Sequence, residues 1–182
     1  MAKCDRNGQA EIFTDEQLDQ VLGEMSMRMR ALFSICRYTG CRVSEARQLR
    51  AEDLVNNGIV FRRGNTKTKQ TREAPMHPTL KAVLQTATLP MTGYLFPSGH
   101  RGRGSGPVSR QACDKALRIA CDRLGLEGYS THSFRRSALT KMSNAGIPLR
   151  LVQEISGHSD LGSLQRYLAV QPKQLEDAIS KL

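Results

Sequence analysis

The chain has 182 residues, enough for one domain with one sizeable core, and 39% of them are hydrophobic, which fits a globular fold and not a disordered basic tail. Lys and Arg number 27 against 17 Asp and Glu, a formal net charge of +10 spread along the chain, and a folded protein this basic expects a polyanionic partner: nucleic acid first, an anionic membrane surface second. No stretch approaches the roughly 18 consecutive apolar residues of a membrane span, residues 1–10 lack the apolar centre of a signal peptide, and five cysteines, an odd number without a CxxC pair, fit reduced, buried thiols in a cytosolic protein.

In chain order the pattern predicts a mainly α fold interrupted once by a small antiparallel β-sheet. Thr14 can cap a helix, Gln17 sits at the capping-box position, and Phe13 with Leu18 forms a staple pair. A second helix is expected over 27–38, with Met29, Leu32, Phe33 and Cys36 inward and Gly40 as terminator. A short helical stretch follows at 43–49. Ile59, Val60 and Phe61 centre a strand over 58–62, a polar turn occupies 64–70, and a returning strand at 72–76 is cut short by Pro75. Residues 77–87 are helical again, and 91–106 form an irregular, mobile, basic loop. Ser109 starts the clearest helix, with Cys113, Ala116, Leu117, Ala120, Cys121 and Leu124 at helical spacing and Gly125 as its stop. Further helices are expected over 131–145, over 149–155 and from Pro172, the last carrying the stripe Leu175, Ala178, Ile179, Leu182. No internal repeat or interdomain linker is visible.

Two features call for chemistry. Arg62, Arg63, Lys67, Lys69 and Arg72 crowd one predicted β-turn, either a solvated charged turn or a finger placed at a phosphate backbone, whose lysine can deliver a proton or a charge. The second is a dispersed polar set. Arg42 precedes Glu45 by three positions, so Glu45 can orient it on one helical face. His132 and Arg135, also three apart, open a helix whose N-terminus suits an anion. His158 follows Gly157 in a tight turn, and Tyr167 comes nine residues later. Taken singly, Arg42 is a surface arginine and Tyr167 an ordinary tyrosine at a core edge. Taken together, two arginine forks can hold two phosphate oxygens, a histidine can add a donor, a tyrosine hydroxyl can attack phosphorus, and a lysine can protonate the leaving 5′ oxygen. The scheme calls for no metal and no cofactor. The four histidines show no ligand spacing, no acidic cluster suggests a two-metal nuclease, and no P-loop signature is present.

The set resembles the tyrosine recombinase (phage integrase) family. Its first box is similar to Thr39-Gly40-Cys41-Arg42-Val43-Ser44-Glu45-Ala46, followed by Leu49 and Glu52-Asp53-Leu54. The histidine–x–x–arginine box is His132-Ser133-Phe134-Arg135, and the later histidine box is Ile155-Ser156-Gly157-His158-Ser159. The resemblance implies the tyrosine recombinase catalytic-domain fold, Arg42, His132, Arg135 and His158 as catalytic residues, Glu45 as their support, and Tyr167 as nucleophile. It places the hairpin lysine on Lys67, counted back from Pro75, with Lys69 as the alternative. It implies cleavage of one DNA strand at a time through a 3′-phosphotyrosyl bond and exchange between partner duplexes, in a cytoplasmic bacterial, phage or plasmid setting. Arg62, Arg63, Lys69, Arg72, Arg101, Arg103 and Arg110 are the expected DNA-contacting cations. The partner is then a double-stranded recombination site, with an accessory protein as a further candidate. The resemblance implies that the final helix docks into a neighbouring protomer of a tetramer on DNA, with packing on its own domain as the alternative reading of its apolar stripe, and the free chain is expected to be a monomer in solution.

Two departures stand out. Ser156 replaces the leucine usual before the glycine of the histidine box and is small enough to be tolerated. The catalytic pattern fills 13–182 behind a short arm at 1–12, with no separate core-binding domain, so the chain is expected to be a minimal recombinase or a fragment, with DNA affinity lowered for want of phosphate contacts. Two other functions compete. A type IB topoisomerase-like enzyme would nick and reseal without exchanging partners. A non-catalytic DNA-binding protein of the same fold would show losses among the catalytic residues, and none is evident.

Overall fold

Local signals set most of the helices. Thr14 Oγ1 accepts from the backbone N–H of Gln17 at 3.2 Å while Gln17 Oε1 accepts from the N–H of Thr14 at 2.9 Å, and this reciprocal box starts α1, Asp15–Gly23. Phe13 and Leu18, on either side of it, are both buried in the main core. Ser26 caps α2, Met27–Thr39, which ends at Gly40 in the left-handed region, φ 62°. The computed structural model describes residues 9–66, 68–99, 106–165, 175–176 and 179–180. Lys67, Arg101, Arg103, Tyr167 and the helix expected from Pro172, apart from four of its residues, therefore lie outside the described residues.

The remaining elements are α3 (Val43–Ala46), β1 (Leu54–Val55), β2 (Gly58–Phe61), β3 (Arg72–Pro75), α4 (Pro78–Thr86), α5 (Arg110–Arg123), α6 (Thr131–Asn144), α7 (Leu149–Ser156) and α8 (Leu161–Gln165). The protein is mainly α-helical with one three-stranded antiparallel sheet, ordered β1-β2-β3. Ile59 pairs with Ala74 and Phe61 with Arg72, so Ile59, Phe61 and Ala74 share the buried face. Pro75 sits on the edge strand, where its missing N–H breaks no ladder. Strand β1 and helix α8 were not expected; with two and five residues they are too short for a periodic signal.

Helix α2 is the centre, packed against α1, α3, α4 and α6. Phe134 of α6 lies 4.9 Å from Phe33 of α2 and 5.2 Å from Phe13, ring centre to ring centre. A smaller cluster of Leu139, Val152 and Leu164, with Met142 against it, binds α6, α7 and α8 together. The irregular stretch after α4 is pinned over part of its length. Leu95 and Phe96 are buried, the N–H of Leu95 donates to the carbonyl of Leu49, and the N–H of Val108 donates to that of Phe96. The described end of the N-terminal arm also lies on the domain: the N–H of Glu11 donates to Gly128, and Arg136 donates to the carbonyl of Ala10. Among the described residues, no helix is long and apolar enough to cross a membrane.

Candidate functional site

Arg42 stands at the turn between α2 and α3, immediately before the first residue of α3. Its Nη1 donates to Glu45 Oε1 at 3.0 Å, and its backbone N–H donates to Glu45 Oε2 at 3.2 Å. Glu45 is buried, 2% exposed in its side chain, and its second oxygen also accepts from Arg72 Nη2 at 2.7 Å. One buried carboxylate thus aligns two guanidinium groups. Arg72 goes further: Nη1 donates to the carbonyl of Ile155 at 3.1 Å, and Cζ lies 4.0 Å from the centre of the Phe61 ring. Gly157, in the left-handed region at φ 67°, leaves room for this, since a Cβ there would stand 2.8 Å from Arg72 Nε.

Arg135 projects from α6 into the interior and is fully buried. Nη1 donates to the carbonyl of Gly40 at 2.7 Å and Nη2 to that of Ser156 at 3.0 Å; Nη2 also lies 3.0 Å from His158 Nε2. The end of α2 and the end of α7 are therefore joined through one side chain. His158 follows the left-handed Gly157, and its backbone carbonyl accepts from Gln153 Nε2 at 3.1 Å. Its Nδ1 lies 2.7 Å from Ser156 Oγ. His132, on the first turn of α6, is exposed.

These groups converge on one surface. A cavity of about 1010 Å³ is lined by Arg42, Arg72, His132, Arg136, Arg150 and His158, with Thr68 and Gln70 of the hairpin loop and Ser163 of α8 at its margins. A second, of about 420 Å³, is lined by Arg42, His132 and Arg135 together with Thr66 and Arg110. Arg42 and His132 border both. The neighbours of Lys67 in the chain, Thr66 and Thr68, line one cavity each. Ser163, four residues before Tyr167, lines the larger one. Among the described residues, no group of three His, Cys, Asp or Glu side chains is gathered as metal ligands would be.

The cations expected to contact DNA divide by environment. Arg63 and Lys69 are exposed in the hairpin loop, and Arg110 is exposed at the start of α5 beside Asp114. The Arg62 guanidinium is tied to the buried carboxylate of Asp53, although its side chain stays half exposed. Arg72 is turned inward, 10% exposed, and spent on Glu45, Ile155 and Phe61. The strand register accounts for this: Arg72 stands directly opposite Phe61, so both side chains leave the same face of the sheet. Arg136, Arg150 and Gln153 also line the cavity without a sequence signal that separates them from other helical polar residues.

Burial, then the charges of Arg135 and Arg42, push the His158 imidazole down from its ordinary 6.5 to about 3. The unfolded chain takes up a proton here that the folded chain refuses. This contribution to stability is therefore full above pH 6.5 and is lost as pH falls towards 3, at up to about 1.4 kcal/mol per pH unit. Urea unfolding at pH 5 and pH 7.5 should show this slope in the native sequence and a flatter one in His158→Asn. Equal slopes would assign the acid sensitivity elsewhere. The four described cysteines are all free and buried, and burial pushes Cys113 and Cys121 up to about 11, so neither is an activated thiol.

Comparisons with known proteins point to one family. A family model described as the phage integrase family matches residues 11–174. The integrase of Escherichia phage 186 is 30% identical over 173 residues, covering 91% of this chain and 46% of that protein. The tyrosine recombinase XerD of Rhizobium meliloti (strain 1021) is 31% identical over 180 residues, covering 94% and 56%. Among solved structures, XerA recombinase superposes with a TM-score of 0.76 at 19% identity, covering 100% of this chain and 66% of that one. The catalytic domain of bacteriophage HP1 integrase gives 0.69 at 24% identity, covering 94% and 95%. The fold is thus shared with these structures. The chain spans about half the length of the curated relatives it matches.

Proposed function

The chain belongs to the phage integrase family, and we propose that it is a site-specific DNA recombinase that cleaves and rejoins strands through a 3′-phosphotyrosyl intermediate at Tyr167. The observation that carries this reading is the convergence of Arg42, His132, Arg135 and His158, four side chains from three separate stretches of sequence, around adjoining cavities with a common border.

In this reading the scissile phosphate enters the cationic groove. Arg42 and Arg135 neutralise the charge on its non-bridging oxygens, with His132 as a further donor from the mouth of the groove. The Tyr167 oxygen attacks phosphorus, the P–O5′ bond breaks, and the 3′ phosphate is left on the tyrosine. The phenol loses its proton to solvent water as it attacks, and the departing 5′ oxygen takes one from Lys67, with Lys69 as the alternative acid. The 5′ hydroxyl of a partner strand then attacks the phosphotyrosine and releases the phenol. One ester replaces another at each step, so no nucleotide is consumed. His158, which lines the larger cavity, adds to the phosphate clamp beside Arg135, and Glu45 supports Arg42. Arg63, Lys69 and Arg110, which are exposed, would meet the backbone of the bound duplex, as would Arg101 and Arg103.

The wider assignment follows from this. Residues 13–182 are the catalytic domain and 1–12 a short arm. The assembly that exchanges strands is a homotetramer joined through the C-terminal segment, where Leu175 and Ile179 are 62% and 70% exposed in the single chain. The setting is the cytoplasm of a bacterium carrying the DNA site, with an accessory protein as a further partner.

Trapping on nicked suicide DNA is the test. A covalent complex should form, and peptide mapping should place the nucleotide on Tyr167. Products with exchanged flanks separate recombination from simple nicking and resealing. On substrates with a 5′-bridging sulfur, whose leaving group needs no acid, Lys67→Ala should recover cleavage and Lys69→Ala should not differ from its behaviour on ordinary DNA. The opposite pattern would move the acid to Lys69.

A further inference from the structure

The paired ladder of β2 and β3 ends at Phe61 opposite Arg72. The connection beyond it, residues 62–71, carries both lysines weighed as the general acid, and a turn of that length samples many shapes when only its ends are held. Two threonine side chains hold it further in. Thr71 Oγ1 accepts from the backbone N–H of Arg63 at 3.1 Å. Thr66 does more. Its Oγ1 accepts from the N–H of Gln70 at 3.2 Å, and its hydroxyl lies 2.9 Å from the carbonyl oxygen of Gln70 and 3.3 Å from that of Arg63. The sense of these bonds is fixed, since an amide N–H only donates and a carbonyl only accepts. Either carbonyl that takes the hydroxyl proton ties Thr66 to another part of the turn. The backbone carbonyl of Thr66 accepts in turn from the N–H of Lys69 at 3.3 Å, and Lys69 stands in the left-handed region at φ 51°. Thr66 is buried although Arg63 and Lys69 around it are exposed, and it lines the smaller cavity beside Arg42, His132 and Arg135.

We propose that Thr66 is a positioning residue for proton delivery: its side chain closes the turn over 63–70 before DNA arrives, and so fixes where the lysine of that turn meets the departing 5′ oxygen. The inference deepens the recombinase reading and rests on it for the lysine's role. It holds for either lysine, because Lys67 is joined to Thr66 by the next peptide bond and Lys69 is hydrogen-bonded to its carbonyl. A general acid works only within hydrogen-bond reach of the oxygen it protonates, so a backbone that wanders under it costs rate. The phosphate clamp has other supports: Glu45 holds Arg42, and the carbonyls of Gly40 and Ser156 hold Arg135. Loss of the Thr66 hydroxyl should therefore weaken protonation of the leaving group and spare the attack on phosphorus.

Thr66→Val keeps the branched shape and removes the hydroxyl; Thr66→Ser keeps the hydroxyl. Single-turnover cleavage by the full chain is measured on nicked suicide DNA with an ordinary phosphate and with a 5′-bridging sulfur, whose departure needs no acid. Thr66→Val should be about tenfold slow on the ordinary substrate and within about twofold of the native rate on the sulfur substrate, with melting temperature little changed. Thr66→Ser should cleave both like the native sequence. Amide hydrogen exchange gives a second reading: the Gln70 N–H should exchange at least about fivefold faster in Thr66→Val and at the native rate in Thr66→Ser. Equal slowing of Thr66→Val on the two substrates would overturn the proposal and leave Thr66 a merely structural role. A native rate on the ordinary substrate would overturn it as well, as would unchanged exchange at Gln70. A native protein that attaches to neither substrate would overturn the recombinase reading, and the placing of the acid with it; failure of the proposal alone is seen in a native protein that attaches to both.

Discussion

Replacing Tyr167 by phenylalanine is expected to remove covalent attachment to suicide DNA, a loss of at least about 10⁴-fold in cleavage rate, while DNA affinity stays within a few-fold. The substitution deletes one oxygen and nothing else. That oxygen is the atom that would form the new bond to phosphorus. Affinity is expected to follow the cations along the groove, which the substitution leaves in place. The chain can bring the phenol to the site. Ser163 lines the larger cavity, and the four residues from there to Tyr167 span at most about 14 Å when extended. Gel shift and denaturing electrophoresis on the same labelled duplex separate the two effects. Covalent product from Tyr167→Phe would place the nucleophile elsewhere, and peptide mapping would then find it.

The caps were legible because each is written in adjacent residues. Thr14 with Gln17, Gly40, Ser109 and Gly125 bound their helices through contacts at most four or five positions long, and the structure follows them closely. The order of the polar boxes was legible for a different reason: a resemblance carries long-range information that periodicity does not. What neither supplied is the connection between boxes. The Gly40 carbonyl and the Arg135 side chain are 95 positions apart, and their bond depends on how α6 crosses α2 through Phe33 and Phe134. Arg72 illustrates the limit most sharply. Its place in a basic turn suggests DNA. Its register opposite Phe61, and a carboxylate 27 positions back in the chain, turn it into the brace between the sheet, Glu45 and the histidine turn. Ser156 was legible as small; its contact with His158 was not, since that depends on the left-handed turn at Gly157.

Arg135→Ala should lose both catalysis and stability, and the two losses should come apart in Arg135→Lys. The side chain is fully buried and satisfies the carbonyls of Gly40 and Ser156, so alanine leaves two buried acceptors without their donor and a void between α2, α6 and α7. A destabilisation of about 2–4 kcal/mol is expected in urea unfolding, together with a fall of about 10² to 10³ in single-turnover cleavage. Lysine restores a charge and part of the volume. It cannot span both carbonyls and the phosphate as a planar fork does, so stability should recover most of the way while cleavage remains at least tenfold slow, about 1.4 kcal/mol in the transition state. Arg42→Ala supplies the contrast. Its side chain is 17% exposed and is bound to Glu45, which keeps Arg72 as a second partner. A comparable loss of cleavage is expected there with a smaller loss of stability. Equal destabilisation by Arg42→Ala and Arg135→Ala would contradict this division, in which one arginine of the phosphate clamp is part of the core and the other stands at its edge.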